Sequence, residues 1–263
     1  MRYFFHISYL GSNFNGWQKH PKANSIQETI EVQLTKILKV PLQINGCGRT
    51  DSQVHATQYF FHVDIDIDWD FDLLFRLNMS LPSSISVLSI HKVDDKSHAR
   101  FDAVQRRYNY LIHTEKNSFL ARLSSYYPVK LDLKAMGDAV ALLPKYDDYR
   151  AFCTSPNKYD HTICRVADAK LMVDTTGTRL NFQISSNRFL TRMIRIIMGK
   201  LLKIGLGEMT ISEFETLLIK KETPENLDIA HPTGLYLSRV IYPYLNLQPT
   251  CHPLLEEDNW QEV

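Results

Sequence analysis

The sharpest chemical feature of the chain is Gly48-Arg49-Thr50-Asp51, which puts a carboxylate, a hydroxyl and a guanidinium side by side. Glycines at 46 and 48 allow tight backbone turns, so the sequence predicts Asp51 at the tip of a loop entering a cleft. Arg49, two residues away, need not face Asp51, but a guanidinium turned toward it would favour an ionised carboxylate. That form suits a nucleophile better than a general acid. Taken alone, an Asp in a Gly-rich loop is also an ordinary turn former.

A second cluster is Arg188-Phe189-Leu190-Thr191-Arg192-Met193-Ile194-Arg195, running on to Gly199. Positions 188, 192 and 195 are spaced four and three apart, which predicts three arginines on one face of a helix from about Asn187 to Ile204. Phe189, Met193, Ile196 and Ile197 would form its apolar stripe. Such a face could be merely solvated. It could also line a cleft, with one Arg turned toward Asp51 and the others toward phosphates.

The third cluster joins His98-Ala99-Arg100-Phe101 to Arg106-Arg107-Tyr108-Asn109-Tyr110. Basic residues beside alternating aromatics on a strand suit phosphate contacts combined with base stacking. Tyr108 and Tyr110 face one side of that strand, and their depth decides which is core.

Elements must hold these residues in place. Strands are expected at residues 3–9, 42–45, 58–62, 85–90, 107–113, 169–173, 179–184 and 235–242. Ser25 and Glu28 form a capping-box signature ahead of Ile26, Ile30, Leu34, Ile37 and Leu38 at helical spacing. Further helices are expected at 71–79, 132–143 and 212–221. Between Asp64 and Asp72, acids alternate with Ile65, Ile67, Trp69 and Phe71, which puts five Asp on one face. We read that face as solvated and discouraging edge pairing. The pattern defines an α+β (mixed α/β) protein of two related lobes with antiparallel-rich mixed sheets flanked by helices. The expected organisation is an N-terminal lobe over 1–105, a C-terminal lobe over 106–245 and a peripheral tail over 246–263.

The 263 residues are 44% hydrophobic and 22% charged, an ordinary globular composition that argues against disorder. No apolar run is long enough to span a bilayer. The segment MRYFFHISYL reads as a first strand and not as a leader, so a cytoplasmic protein is expected. The four cysteines are scattered with no C-x-x-C pair, which fits free thiols and neither a zinc site nor a disulfide framework. His161 and Cys164 are the nearest approach to a metal-ligand pair, and no metal is expected. A net charge of +1 requires that any RNA-binding cations be gathered locally.

Jointly these clusters resemble the tRNA pseudouridine synthase A family over nearly the whole chain. The matching residues come in family order: Tyr9-Leu10-Gly11-Ser12-Asn13-Phe14 with Gly16-Trp17-Gln18; Gln27; Gly48 to Asp51 with Val54-His55-Ala56; Asn78 to Pro82; His98 to Phe101; Arg107-Tyr108 with Tyr110; Phe189-Leu190; Met193-Ile194-Arg195 with Gly199; and Gly234-Leu235. The resemblance implies a pseudouridine synthase-like fold with an active-site cleft between the lobes and no cofactor. It makes Asp51 the catalytic aspartate, Arg195 its partner, and Tyr108 a residue stacking near the target base. Arg49 would help open the RNA. Together with Arg100, Arg106, Arg107, Arg188 and Arg192 it makes up the expected RNA-binding set. The substrate would be tRNA, bound by a homodimer and modified at nucleotides 38–40 of the anticodon stem-loop. Two departures stand out. The family usually reads G-R-T-D-A-G-V-H-A, where this chain has Ser52 and Gln53, and the family's Gly-x-His-Asp-Phe becomes Lys145 to Tyr149.

A uridine must leave its stack to be reached. Asp51 would then attack C1′ or C6, or assist loss of the C2′ proton, and the sequence does not choose among these. Tyr108 is placed either to take the C5 proton or to stack. The rival readings are a non-catalytic tRNA-binding paralogue or chaperone, and an enzyme acting on a small molecule.

Overall fold

The computed structural model describes residues 1–245, 247, 254–255 and 260–263. The chain divides into two compact units. One comprises Met1–Val104 and the described residues of 236–250. The other comprises Gln105–Leu235 and the described residues of 251–263.

Unit one begins with β1 (Arg2–Tyr9), followed by α1 (Ile26–Leu38), β2 (Asn45–Gly46), β3 (His55–Asp64), α2 (Leu73–Ser80) and β4 (Ile85–Val93). The expected helix forms where its cap predicts. Ser25 accepts from the Glu28 N–H at 3.2 Å, and Ile26, Ile30, Leu34 and Leu38 are buried. Only half of the capping box is made, because Glu28 turns to Lys19 at 3.7 Å. β1 is central, antiparallel to β3 on one side and to β4 on the other. Strand alternation sorts the aromatics into two layers. Phe5 stacks on Phe61 with Trp17 and Tyr59 nearby, and Phe4 and Phe60 both pack against Tyr242. All five Asp of the alternating run are exposed, as expected, but the chain beyond Asp64 is not a strand. Asp64 pairs with Arg2 and Asp66 with the N-terminus, and Asp72 caps α2.

Unit two contains β5 (Gln105–His113), β6 (Ser125–Tyr126), α3 (Leu133–Val140), β7 (Val166–Asp174), β8 (Arg179–Ser186), α4 (Met193–Gly205) and α5 (Ile211–Lys220). Its sheet runs β7-β8-β5, all antiparallel, with β6 parallel to β5. After α5 the chain enters β9 (Leu235–Ile241), which pairs in parallel with the start of β3 and so returns to unit one. Gln58 reinforces that junction by accepting from the Val240 N–H at 2.8 Å. Finally β10 (Trp260–Glu262) pairs antiparallel with β7. The rest of the expected tail lies mostly outside the described residues.

Both units are mixed α/β with antiparallel-rich sheets, and five α-helices flank them among the described residues, the class the sequence led us to expect. Two elements differ: the strand expected at 42–45 forms only as β2, Asn45–Gly46, and the long helix begins later than expected. α4 starts at Met193, five or six residues later than the arginine spacing suggests. Arg192 takes a left-handed conformation (φ 62°), which no residue inside a right-handed helix can adopt. Residues 188–191 are held outside the helix by Tyr159, whose hydroxyl accepts from the Thr191 N–H at 3.1 Å. Arg188, Arg192 and Arg195 therefore do not share a helical face.

Candidate active site

Asp51 lies in the loop between β2 and β3 and is half-buried. The loop is seated on an aromatic layer. Tyr59 donates its hydroxyl to the Gly48 carbonyl at 2.6 Å, and the Tyr9 and Thr50 hydroxyls meet at 2.8 Å. The Trp17 backbone N–H donates to the Thr50 carbonyl at 3.2 Å. Gly16 makes this seat possible. Its φ is +91°, and a Cβ there would fall 2.4 Å from the Thr50 carbonyl oxygen and 3.1 Å from the Asp51 carbonyl carbon. The glycines singled out in the sequence act differently from expectation. Neither Gly46 nor Gly48 has a positive φ, and Gly46 is needed because a Cβ would strike the Tyr59 hydroxyl and Trp17.

On the far side of Asp51 the chain departs from the family's Ala-Gly pair. Gln53 occupies the left-handed region (φ 65°), the conformation for which glycine is the usual occupant. Its N–H and the Ser52 hydroxyl both donate to the Phe14 carbonyl, at 3.1 and 3.3 Å. The turn is thus formed with Gln in place of Gly. Behind it, His55 Nδ1 accepts from the Gly11 N–H at 3.0 Å and its ring stacks on Tyr236. Arg49 is exposed, and its Nε donates to the Gln18 side chain at 3.1 Å.

Arg195 and Tyr108 lie in unit two. Arg195 sits in the first turn of α4, half-buried, with Nε donating to the Ala230 carbonyl at 2.8 Å. The Ala230 N–H donates back to the Arg195 carbonyl at 3.0 Å, so side chain and backbone are clamped by one residue. Tyr108, on β5, is half-buried and meets the edge of Phe189 with ring centres 5.0 Å apart. Two residues on, Tyr110 is fully buried and donates to the His231 carbonyl at 2.6 Å. Burial drives its phenol far above the ordinary range, so it stays neutral. Depth separates the two tyrosines: Tyr110 is core and Tyr108 is the surface-reaching one.

The remaining cations fall in separate places. Arg106 donates to the Asn187 carbonyl at 3.2 Å, and Arg107 to the Ser185 hydroxyl at 3.1 Å, from opposite faces of β5. Arg188 meets His161 at 3.3 Å and lies over the Tyr159 ring at 5.6 Å. Arg192 is exposed beside them in sequence. In unit one, Arg100 is exposed near Phe101, a ring that is 74% exposed. Cys47, Cys153 and Cys164 are buried thiols outside any disulfide, and burial pushes Cys164 up to about 12, which makes it inert as a nucleophile. The family's glycine at the Gln53 position is a local signal for the turn, but what Gly16 and Ala230 touch is not written in any local motif. Those contacts arise from segments distant in sequence.

Residues 146–243 match a family model described as tRNA pseudouridine synthase. Curated relatives extend the likeness to most of the chain. A tRNA pseudouridine synthase A of Porphyromonas gingivalis is 34% identical over 245 residues, covering 92% of this chain and 97% of the relative. Those of Streptococcus sanguinis and Parabacteroides distasonis are 36% and 35% identical, each over 92% of this chain and 98% and 96% of their own lengths. The chain belongs to the tRNA pseudouridine synthase A family, a family of isomerases.

Proposed function

We propose that this enzyme isomerises uridine to pseudouridine in tRNA, at nucleotides 38–40 of the anticodon stem-loop, with Asp51 as its essential carboxylate. The observation that carries the reading is the Asp51 loop. It is built on a buried aromatic layer at a glycine approach, and its turn is completed by Gln53 where the family has glycine. A loop preserved at the cost of a strained residue favours catalysis over the reading as a non-catalytic paralogue.

The target uridine leaves its stack and enters the site. The Asp51 carboxylate acts on the ribose or the uracil ring while Arg195 pairs with it, and Tyr108 stacks beside the base. The N1–C1′ bond breaks, the uracil turns, and C5 bonds to C1′. C5 then gives up its proton and N1 gains one, so atoms balance without water or an oxidant. Arg49, Arg100, Arg106, Arg107, Arg188 and Arg192 are the phosphate-facing cations of this proposal, acting in a cytoplasmic homodimer.

The test is pseudouridine mapping after purified enzyme is incubated with tRNA transcripts carrying uridine at 38, 39 or 40. Product at those nucleotides supports the reading. Tight, salt-sensitive tRNA binding with no product would favour the paralogue instead.

A further inference from the structure

Arg195 is clamped by a strap that lies along its own helix. The strap, residues 226–230, meets α4 at successive turns. At one end Ala230 closes the two-way bond with Arg195. One turn along, a Cβ on Gly199 would fall 1.5 Å from the Asp228 carbonyl oxygen, so strap backbone rests directly on helix backbone. Beside it Lys200, 4% exposed, donates to the Asp228 carboxylate at 2.5 Å and to the Asn226 carbonyl at 2.8 Å. Lys203 reaches the same carboxylate at 2.9 Å. Burial alone would raise the Asp228 carboxyl, but the hydrogen bonds from Lys200 and Lys203 outweigh it and hold it below the usual carboxylate range. Asp228 itself is left-handed (φ 48°), a conformation the strap must be held in.

A buried ion pair contributes little net stability, because desolvation offsets most of the attraction. What it does supply is register: the ammonium fits one carboxylate and one carbonyl, and a shifted strap would leave it buried and unpaired. We propose that Lys200 and Asp228 are positioning residues for Arg195. Their ion pair fixes the strap on α4, and Ala230 passes that placement to the guanidinium through Nε. This rests on the reading of Arg195 as the partner of the catalytic carboxylate.

The test is a kinetic cycle on the full chain: parent, Lys200→Met, Arg195→Ala and the double variant. Lys200→Met is expected to lower kcat on the order of 10-fold, since small displacements of a positioned group are costly. KM for tRNA should stay within about twofold, because the interaction lost is made at the transition state. In the Arg195→Ala background the same change should have no further effect. An equal further loss there would overturn the positioning role while leaving that of Arg195 intact. An Arg195→Ala enzyme as fast as the parent would overturn the role of Arg195, and the positioning with it. Should Lys200→Met not fold, Asp228→Asn removes the charge with little change of shape, and Gly199→Ala keeps every charge and lifts the strap. Each is expected to slow the parent and not the Arg195→Ala enzyme; a folded variant of full speed overturns the proposal. The side-chain ¹⁵N signal of Arg195 Nε gives a direct reading. It should shift and lose protection from exchange in Lys200→Met, and an unmoved signal would contradict the proposal.

Discussion

Replacing Gly16 by Ala should damage a carboxylate loop 35 positions away in sequence. The added Cβ would stand 2.4 Å from the Thr50 carbonyl oxygen, whereas ordinary contact needs about 3.5 Å. The Thr50–Asp51 backbone must therefore retreat by about 1 Å. That movement also stretches the 3.2 Å bond from the Trp17 N–H. The φ of +91° adds a left-handed penalty of about 1–2 kcal/mol, and overpacking adds about 1–3 kcal/mol. Displacing a catalytic group by about 1 Å typically costs on the order of 10²-fold in rate. We expect Gly16→Ala to lower kcat by about that factor, and stability by about 2–5 kcal/mol in urea unfolding followed by Trp fluorescence. Gly177→Ala is the matched control. Its φ is +72° with open space around the Cβ, so it should lose only about 1 kcal/mol and keep full turnover. A Gly16→Ala enzyme that turns over like the parent would refute the argument that this contact sets the carboxylate.

Gln53→Gly should stabilise the chain by about 0.5–1 kcal/mol, since the relief of left-handed strain exceeds the entropy glycine adds to the unfolded state; urea unfolding checks this, and a loss of stability would mean the Gln53 side chain is itself needed. Burial lowers the imidazole of His62 to about 4, and the ring accepts the Ala99 N–H at 3.2 Å, a bond that only the neutral form can make. Its folded pKa lies below the ordinary 6.5, so the unfolded chain binds the extra proton first and stability falls as pH drops from about 6.5 toward 4. Unfolding midpoints at pH 7 and pH 5 should differ by an amount that shrinks in His62→Asn, and an unchanged pH dependence would contradict the burial argument.

Much of the scaffold was legible because its signals are local. Ser25 before a run of apolar residues at helical spacing announces α1, and the alternating Tyr108 and Tyr110 announce β5. The start of α4 was not legible. Arginines at 188, 192 and 195 have helical spacing whether or not the backbone is helical, and the interruption at Arg192 is imposed by Tyr159, 33 residues earlier. The site divides in the same way. Asp51, Arg195 and Tyr108 could be named from motifs, whereas Gly16 beneath Asp51 and Ala230 beneath Arg195 act through close approach of distant segments. Glycine content near Asp51 pointed to flexibility at 46 and 48, but the residue that turns in the left-handed region beside the carboxylate is Gln53.

The most direct measurement is single-turnover pseudouridine formation by Asp51→Asn, alongside its affinity for the same tRNA. The amide keeps the size of the side chain and removes its charge. Unchanged binding with no detectable product is the expected result. Product formed at the parental rate would show that the reaction proceeds without this carboxylate.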